Sequence, residues 1–82
     1  MAKLTKQQRK DNADRAARGN EALQSYIREH GEGDDHTTLT DLLADLMHLA
    51  EDRHDDRDCP LDWDDALRMA RMHFEAEIKG EQ

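Results

Sequence analysis

The sequence contains a single cysteine and no long apolar run. One thiol, that of Cys59, excludes a disulfide within the chain and a thiolate metal cluster built from one copy. The chain has no stretch of about 18 apolar residues, the length that a membrane span requires. Its first residues also lack the apolar segment of a secretory signal. We therefore expect a cytoplasmic protein that does not enter a membrane.

Apolar and aromatic residues are also scarce. Hydrophobic residues make up 35% of the 82-residue chain and aromatic residues 4%, whereas charged residues make up 39%. A chain of this length has room for one domain, and small domains bury a smaller share of their surface than large ones. We expect marginal stability, which a partner or a second copy would improve.

The charge is unevenly distributed along the chain. Residues 1–28 carry seven Lys and Arg against three Asp and Glu, a net charge of +4, whereas residues 29–82 carry five against 17, a net charge of −12. The overall charge of −8 repels nucleic acid, so we expect no direct nucleic-acid binding by the domain, although the basic segment could contact phosphate by itself. The acidic part would attract a basic protein surface, but acidic residues also serve simply to keep a small protein soluble.

The first third of the chain has small and apolar residues at helical spacing. They are Ala13, Ala16, Ala17, Asn20, Leu23 and Ile27. This stripe predicts a helix over about residues 11–30, which Gly31 would end in a left-handed conformation. We expect residues 1–10 to be a flexible basic arm and residues 11–82 to be a single small helical domain. The alanine-rich stripe could also form the interface of a homodimer.

Five leucines define a second predicted helix, over about residues 38–52. Thr38, with Asp41 three residues later, has the spacing of a capping box. One broad face of the helix is apolar and carries Leu39, Leu42, Leu43, Leu46, Leu49 and Ala50. The opposite face is polar and carries Asp41, Asp45, His48 and Asp52.

A third helix is predicted over about residues 62–79. The Cys59-Pro60 pair ends any preceding helix, and Asp62 is a good N-cap residue. Its apolar face carries Trp63, Ala66, Leu67, Ala70, Phe74 and Ile78. The connection to the second helix is short enough for antiparallel neighbours, so we expect this face to pack against the leucines. The sequence thus predicts an all-α fold: a three-helix unit made of an antiparallel helical hairpin (about 38–52 and 62–79) plus an N-terminal helix (about 11–30).

Acidic side chains are the strongest candidates for a binding surface. The candidates are Asp41, Asp45, His48 and Asp52 on the second helix, and Asp55 and Asp56 in the charged loop that follows it. A solvated surface with no partner is the alternative interpretation of the same residues.

A metal site is the sharpest chemical alternative. His48 shares a stripe with two aspartates, and His73 with Glu77 has the one-turn spacing that lets two side chains reach one ion. However, the stripe of His48 points away from the third helix, whereas His73 and Glu77 flank the apolar face of that helix. We therefore expect no bound metal and no cofactor, with His48, His73 and Glu77 as the weak candidates.

No residue pattern supports catalysis. Cys59 precedes a proline in an acidic loop, whereas a nucleophilic cysteine requires basic neighbours that stabilise its thiolate. The alternation of Asp52, His54, Asp56 and Asp58 resembles the ligand spacing of a calcium loop, but the sixth position lacks glycine and the twelfth is Trp63. The carboxylate pairs with which all-helical nucleotide pyrophosphohydrolases hold magnesium are also absent. We expect the protein not to be an enzyme.

Two segments carry a resemblance to known sequences. DLLADLMHLA (41–50) and LDWDDALRMARMHFEAEI (61–78) resemble a recurrent pattern in small helical proteins of bacteria and their plasmids or integrative elements, whose function is unknown. The resemblance covers about the second half of the chain, and the acidic residues around His54 to Asp58 depart from it. It implies an origin on a mobile genetic element but transfers no catalytic or ligand residue.

These features together predict a protein that works by binding. We expect a small acidic helical protein-interaction or regulatory module, such as an inhibitor or antiactivator encoded on a mobile element. Its partner would be a protein, for example the basic surface of a nucleic-acid-binding protein. The alternative is a metal-binding protein that uses His, Asp and Glu side chains.

Overall fold

The computed structural model describes residues 3–31 and 33–80. Within these ranges the chain forms three α-helices and no strand: α1 (Lys6–His30), α2 (Asp35–Arg53) and α3 (Trp63–Lys79). α1 packs against both α2 and α3. The predicted all-α three-helix unit is confirmed. In the same ranges, no helix combines the length and the hydropathy that a membrane span requires.

α1 begins earlier than the predicted start near residue 11. The Thr5 side chain accepts a hydrogen bond from the Gln8 backbone N–H (3.0 Å), and the Gln8 side chain accepts one from the Thr5 N–H (2.8 Å). This reciprocal capping box starts the helix at Lys6, because it satisfies two amides that the first helical turn leaves without partners. Half of the segment 1–10 is therefore helical, and its flexibility stays a prediction. Its first two residues lie outside the described ranges.

The turn between α1 and α2 differs from the prediction in two ways. Gly31 is extended (φ −69°, ψ 132°), not left-handed, and its N–H donates to the Ile27 carbonyl (2.9 Å). A side chain would still not fit there, because a Cβ at Gly31 would lie 2.7 Å from the Ile27 oxygen.

The second difference concerns the cap of α2. Asp34 caps the helix by accepting from the Thr37 N–H (2.8 Å), so the capping box predicted at Thr38 and Asp41 is wrong. Aspartate caps helices better than threonine, which favours the earlier start. Thr38 instead lies inside α2, where it is buried and donates its hydroxyl to the Asp34 carbonyl (3.0 Å).

α3 begins where the sequence predicts. The Asp62 side chain accepts from the Asp65 N–H (3.0 Å), which confirms Asp62 as the N-cap. Gly80 ends the helix in a left-handed conformation (φ 77°) that glycine adopts without strain. The end of the loop between α2 and α3 contacts the end of α2, because the Leu61 N–H donates a hydrogen bond to the Arg53 carbonyl (3.2 Å).

The predicted packing of the leucine face of α2 against the apolar face of α3 holds only near the connection between the two helices. Leu39, Leu43 and Leu46 are between 40% and 42% exposed, and Leu67, Phe74 and Ile78 are between 47% and 60% exposed. The clefts shared by the two helices are lined by the end of α2 and the start of α3, around Ala50 and Trp63. α2 and α3 thus meet near their connection while α1 contacts both, and their apolar faces do not close on each other.

Candidate interaction surface

The acidic candidates are all exposed. Asp41, Asp45, His48 and Asp52 lie on α2, and Asp55 and Asp56 lie in the loop that follows it. We call these six residues the acidic surface. All six lie on α2 or in the loop that directly follows it, within residues 41–56. Asp45 lies at the α1–α2 contact, whereas Asp55 and Asp56 lie next to the α2–α3 connection.

Tyr26 of α1 contacts the acidic surface. Its hydroxyl donates to Asp45 Oδ2 (2.7 Å) across the α1–α2 contact. This hydrogen bond, partial desolvation and the charges of Asp45 and Asp41 together raise the pKa of Tyr26 to about 12. Asp45 therefore positions α1 on α2 in addition to carrying a charge. The sequence does not predict this role, because nothing in the spacing of Tyr26 indicates which carboxylate it will reach.

The loop after α2 is held by Asp56. Its Oδ1 accepts from the backbone N–H groups of Asp58 (2.8 Å) and Cys59 (2.9 Å). These two bonds keep the pKa of the Asp56 carboxyl below its usual range, since they favour the charged form. Asp56 thus stabilises the conformation of the loop that contains Asp55.

His54 precedes these acids in the loop. Its Nδ1 lies 3.0 Å from the Glu51 carbonyl oxygen, and its Nε2 lies 3.2 Å from Asp55 Oδ1. The hydrogen bond to Glu51 and the charge of Asp55 raise the pKa of the His54 imidazole, because both favour the protonated ring. At acidic pH, His54 therefore adds a positive charge within the acidic surface.

The three weak metal candidates are not brought together. Glu77 binds α1 through an ion pair between its Oε2 and Arg15 Nε (2.8 Å), while His48 lies on α2 and His73 on α3. Within the part of the chain that the structure describes, no group of three or more His, Cys, Asp and Glu side chains could hold a metal ion. The metal-binding alternative thus has no observation in its favour.

A polar contact between α1 and α3 was not predicted. Gln8 donates to the Gly80 carbonyl and Asn12 to the Glu77 carbonyl, each at 3.1 Å, and Arg15 adds the ion pair with Glu77. The last carbonyls of a helix lack intrahelical hydrogen-bond donors. Here the side-chain amides of Gln8 and Asn12 in α1 supply those donors. The spacing of Gln8, Asn12 and Arg15 by four and three residues indicates a polar helix face, which a pattern of apolar residues alone does not reveal.

Two exposed apolar stripes were also missed as surface features. Leu39, Leu43 and Leu46 form the α2 stripe, and Leu67, Phe74 and Ile78 form the α3 stripe. The spacing within each stripe places its members on one side of the helix. On α3, the exposed Arg71 lies between Leu67 and Phe74 on the same side of the helix, so this stripe is interrupted by one charge. Grouped exposed apolar side chains in a small protein indicate an interaction site, whereas scattered ones are ordinary.

Comparison with known proteins gives no relative from which a function could be transferred. No protein family, curated protein or solved structure matches the chain. The resemblance to small helical proteins of bacteria and mobile elements therefore stays a prediction.

Proposed function

We propose that the chain is a small acidic protein-interaction module that binds a basic surface of a protein partner through the acidic surface. The observation that carries the proposal is the exposure of all six residues on α2 and its following loop. They belong to a segment, residues 29–82, with a net charge of −12. Charge of one sign on such a surface speeds association with an oppositely charged partner and selects against acidic ones.

A regulatory role follows from the chemistry of such a partner. A basic protein surface that contacts nucleic acid carries the positive charge that the acidic surface attracts. The module and the nucleic acid would compete for that surface, so binding of the module would inhibit the partner. We propose that the module acts as an inhibitor or antiactivator of this kind.

Binding of a labelled arginine-rich peptide, followed by fluorescence anisotropy, tests the proposal. We expect the peptide to bind, its affinity to fall as salt is raised, and a labelled DNA duplex not to bind. The triple variant Asp41→Asn, Asp52→Asn, Asp55→Asn should bind the peptide about tenfold more weakly or worse, since each lost ion pair contributes up to about 1 kcal/mol. Asp45 and Asp56 are left unchanged because they make hydrogen bonds within the chain.

A matched control removes the same charge elsewhere. The triple variant Glu21→Gln, Glu29→Gln, Glu75→Gln changes three exposed acids outside the acidic surface and should retain the affinity of the unmodified chain. Equal losses in both variants would show that net charge alone attracts the peptide, and this result would contradict a defined acidic surface. In a competition assay, the unmodified chain should release DNA from the peptide, and failure to do so would contradict the inhibitory role.

A further inference from the structure

The fold leaves its apolar side chains largely uncovered. Among the described residues, Ala50 is the one hydrophobic residue that is buried. Ordering a chain costs about 1–2 kcal/mol per residue in backbone entropy alone, and burial of apolar surface is the main term that offsets it. The α2 and α3 stripes are therefore the surface that a complete hydrophobic core would use.

We propose that two copies of the chain form a symmetric homodimer in which the α2 stripe of each copy packs against the α3 stripe of the other. This interface is separate from the acidic surface of the proposed function. It would leave each dimer with two acidic surfaces. Phe74 and Ile78 also line a cleft with Ala16 of α1, so the α3 stripe lies beside the alanine-rich stripe of that helix.

The exposed area is sufficient for such a dimer. The chain exposes 6998 Å² at a mass of 9.5 kDa. A compact monomer of that mass exposes about 5,000 Å². The excess of about 2,000 Å² per copy is larger than the roughly 800 Å² per partner that a stable protein interface buries, so a second copy can bind without covering all of it.

The dimensions of the chain lead to the same conclusion. The radius of gyration is 15.5 Å, whereas a compact domain of this length has about 12 Å. The excess area therefore reflects an open arrangement of the helices, in which the two stripes remain apart.

The two stripes also provide partners for each other. The α2 stripe is made of leucines, and the α3 stripe combines leucine and isoleucine with a large aromatic ring. Within one copy these surfaces do not meet, but a two-fold axis brings the α2 stripe of one copy to the α3 stripe of the other twice. A second copy thus covers both stripes at once, whereas a partner docked on one helix leaves the other stripe exposed.

The oligomeric state of the full chain is the first test. Light scattering coupled to size-exclusion chromatography should give twice the chain mass of 9.5 kDa at micromolar concentration. Each acidic chain repels the other, so raising the salt concentration should strengthen the dimer by screening this repulsion. Binding of the arginine-rich peptide should respond to salt in the opposite direction, which separates failure of the dimer from failure of the proposed function. A mass of one chain at every concentration would overturn the proposal.

Charge substitutions test which surfaces pair. Leu43→Glu and Phe74→Lys each place an unpartnered charge in the interface, so each variant alone should dimerise at least about 100-fold more weakly. Mixing the two variants should restore a dimer, because one of its interfaces then contains opposite charges and the other is unaltered. Met72→Lys is the matched control, since Met72 is 54% exposed but lies on the other side of α3. It should dimerise as the unmodified chain does.

A second mixture distinguishes the alternative pairing of like helices. If α2 packed on α2, the Leu43→Glu and Leu43→Lys variants would restore a dimer when mixed. We expect no restoration from this mixture, because each charge then faces the apolar α3 stripe of the other copy. A restored dimer in this mixture would overturn the proposed pairing. Failure of the Leu43→Glu and Phe74→Lys variants to form a dimer when mixed would also overturn it.

Discussion

At the scale of single residues, polar side chains decide where the helices of this protein begin and how they meet. Thr5, Asp34 and Asp62 each accept a hydrogen bond from a backbone amide in the first turn of a helix. Tyr26 and Arg15 then join α1 to the other two helices through carboxylates. Because these joints are polar and few, each should have a measurable effect when it is removed.

We predict that Tyr26 ionises at a higher pH than an ordinary tyrosine does. Its pKa is raised to about 12, above the ordinary value of about 10. The folded chain therefore holds this proton more tightly than the unfolded chain does, and the stability that the Tyr26–Asp45 bond contributes is present below pH 10 and is lost as the pH rises towards 12. Titration of the ultraviolet absorbance of tyrosinate measures the midpoint directly, since the chain has one tyrosine.

Asp45→Asn provides the comparison for this titration. The amide carries no charge, so the midpoint of Tyr26 should move down towards the ordinary value. Identical midpoints near pH 10 in the unmodified chain and in this variant would contradict the contact between α1 and the acidic surface.

At the scale of secondary structure elements, local sequence accounts for much of the architecture. The leucine-rich segment, the Cys59-Pro60 pair and the Asp62 cap are local signals, and they locate α2 and α3 to within a few residues. The relative placement of the helices could not be predicted from the sequence, because it depends on contacts between distant residues. Gln8 and Gly80 are 72 positions apart, and Asn12 and Glu77 are 65 positions apart. The amphipathic pattern of a helix indicates which face should be buried. It does not indicate whether that face is buried by the same copy of the chain or by a second copy.

The acidic surface was predictable for a related reason. Its residues lie within one helix and the loop after it, so their common exposure follows from helical periodicity alone. The internal roles of Asp45 and Asp56 were not predictable, since the first depends on the placement of α1 and the second on the loop conformation.

Gly19 is predicted to weaken α1. It lies in the middle of the helix, is exposed, and has no atom within 4 Å of the position that a Cβ would occupy. Gly19→Ala should therefore raise the free energy of unfolding by about 1 kcal/mol, because alanine loses less backbone entropy in a helix. Urea denaturation at a fixed protein concentration measures the change.

The same substitution at Gly31 is the matched control. There the added Cβ would lie 2.7 Å from the Ile27 carbonyl oxygen, so Gly31→Ala should lower the free energy of unfolding. Equal effects at the two positions would contradict the conformation described for the end of α1.

At the scale of the whole molecule, folding and association are predicted to be one process. When two copies share a core, mass action favours the folded dimer at higher concentration. A 100-fold increase in protein concentration should raise the thermal unfolding midpoint by about 5–10 °C. Circular dichroism at two concentrations measures this shift, and Phe74→Lys should show a smaller one. A midpoint that is independent of concentration in the unmodified chain would mean that a single copy folds by itself.

Of the three contacts between the helices that the structure describes, two are joints that contain an aromatic residue observable by its absorbance or fluorescence. Tyr26, the chain's only tyrosine, lies where α1 meets α2, and Trp63, its only tryptophan, lies where the end of α2 meets the start of α3. The two chromophores can be observed at different wavelengths, so each joint has its own signal in the unlabelled protein. Coincident tyrosine and tryptophan transitions would show that both joints open in one cooperative step, whereas separate transitions would show which helix leaves first.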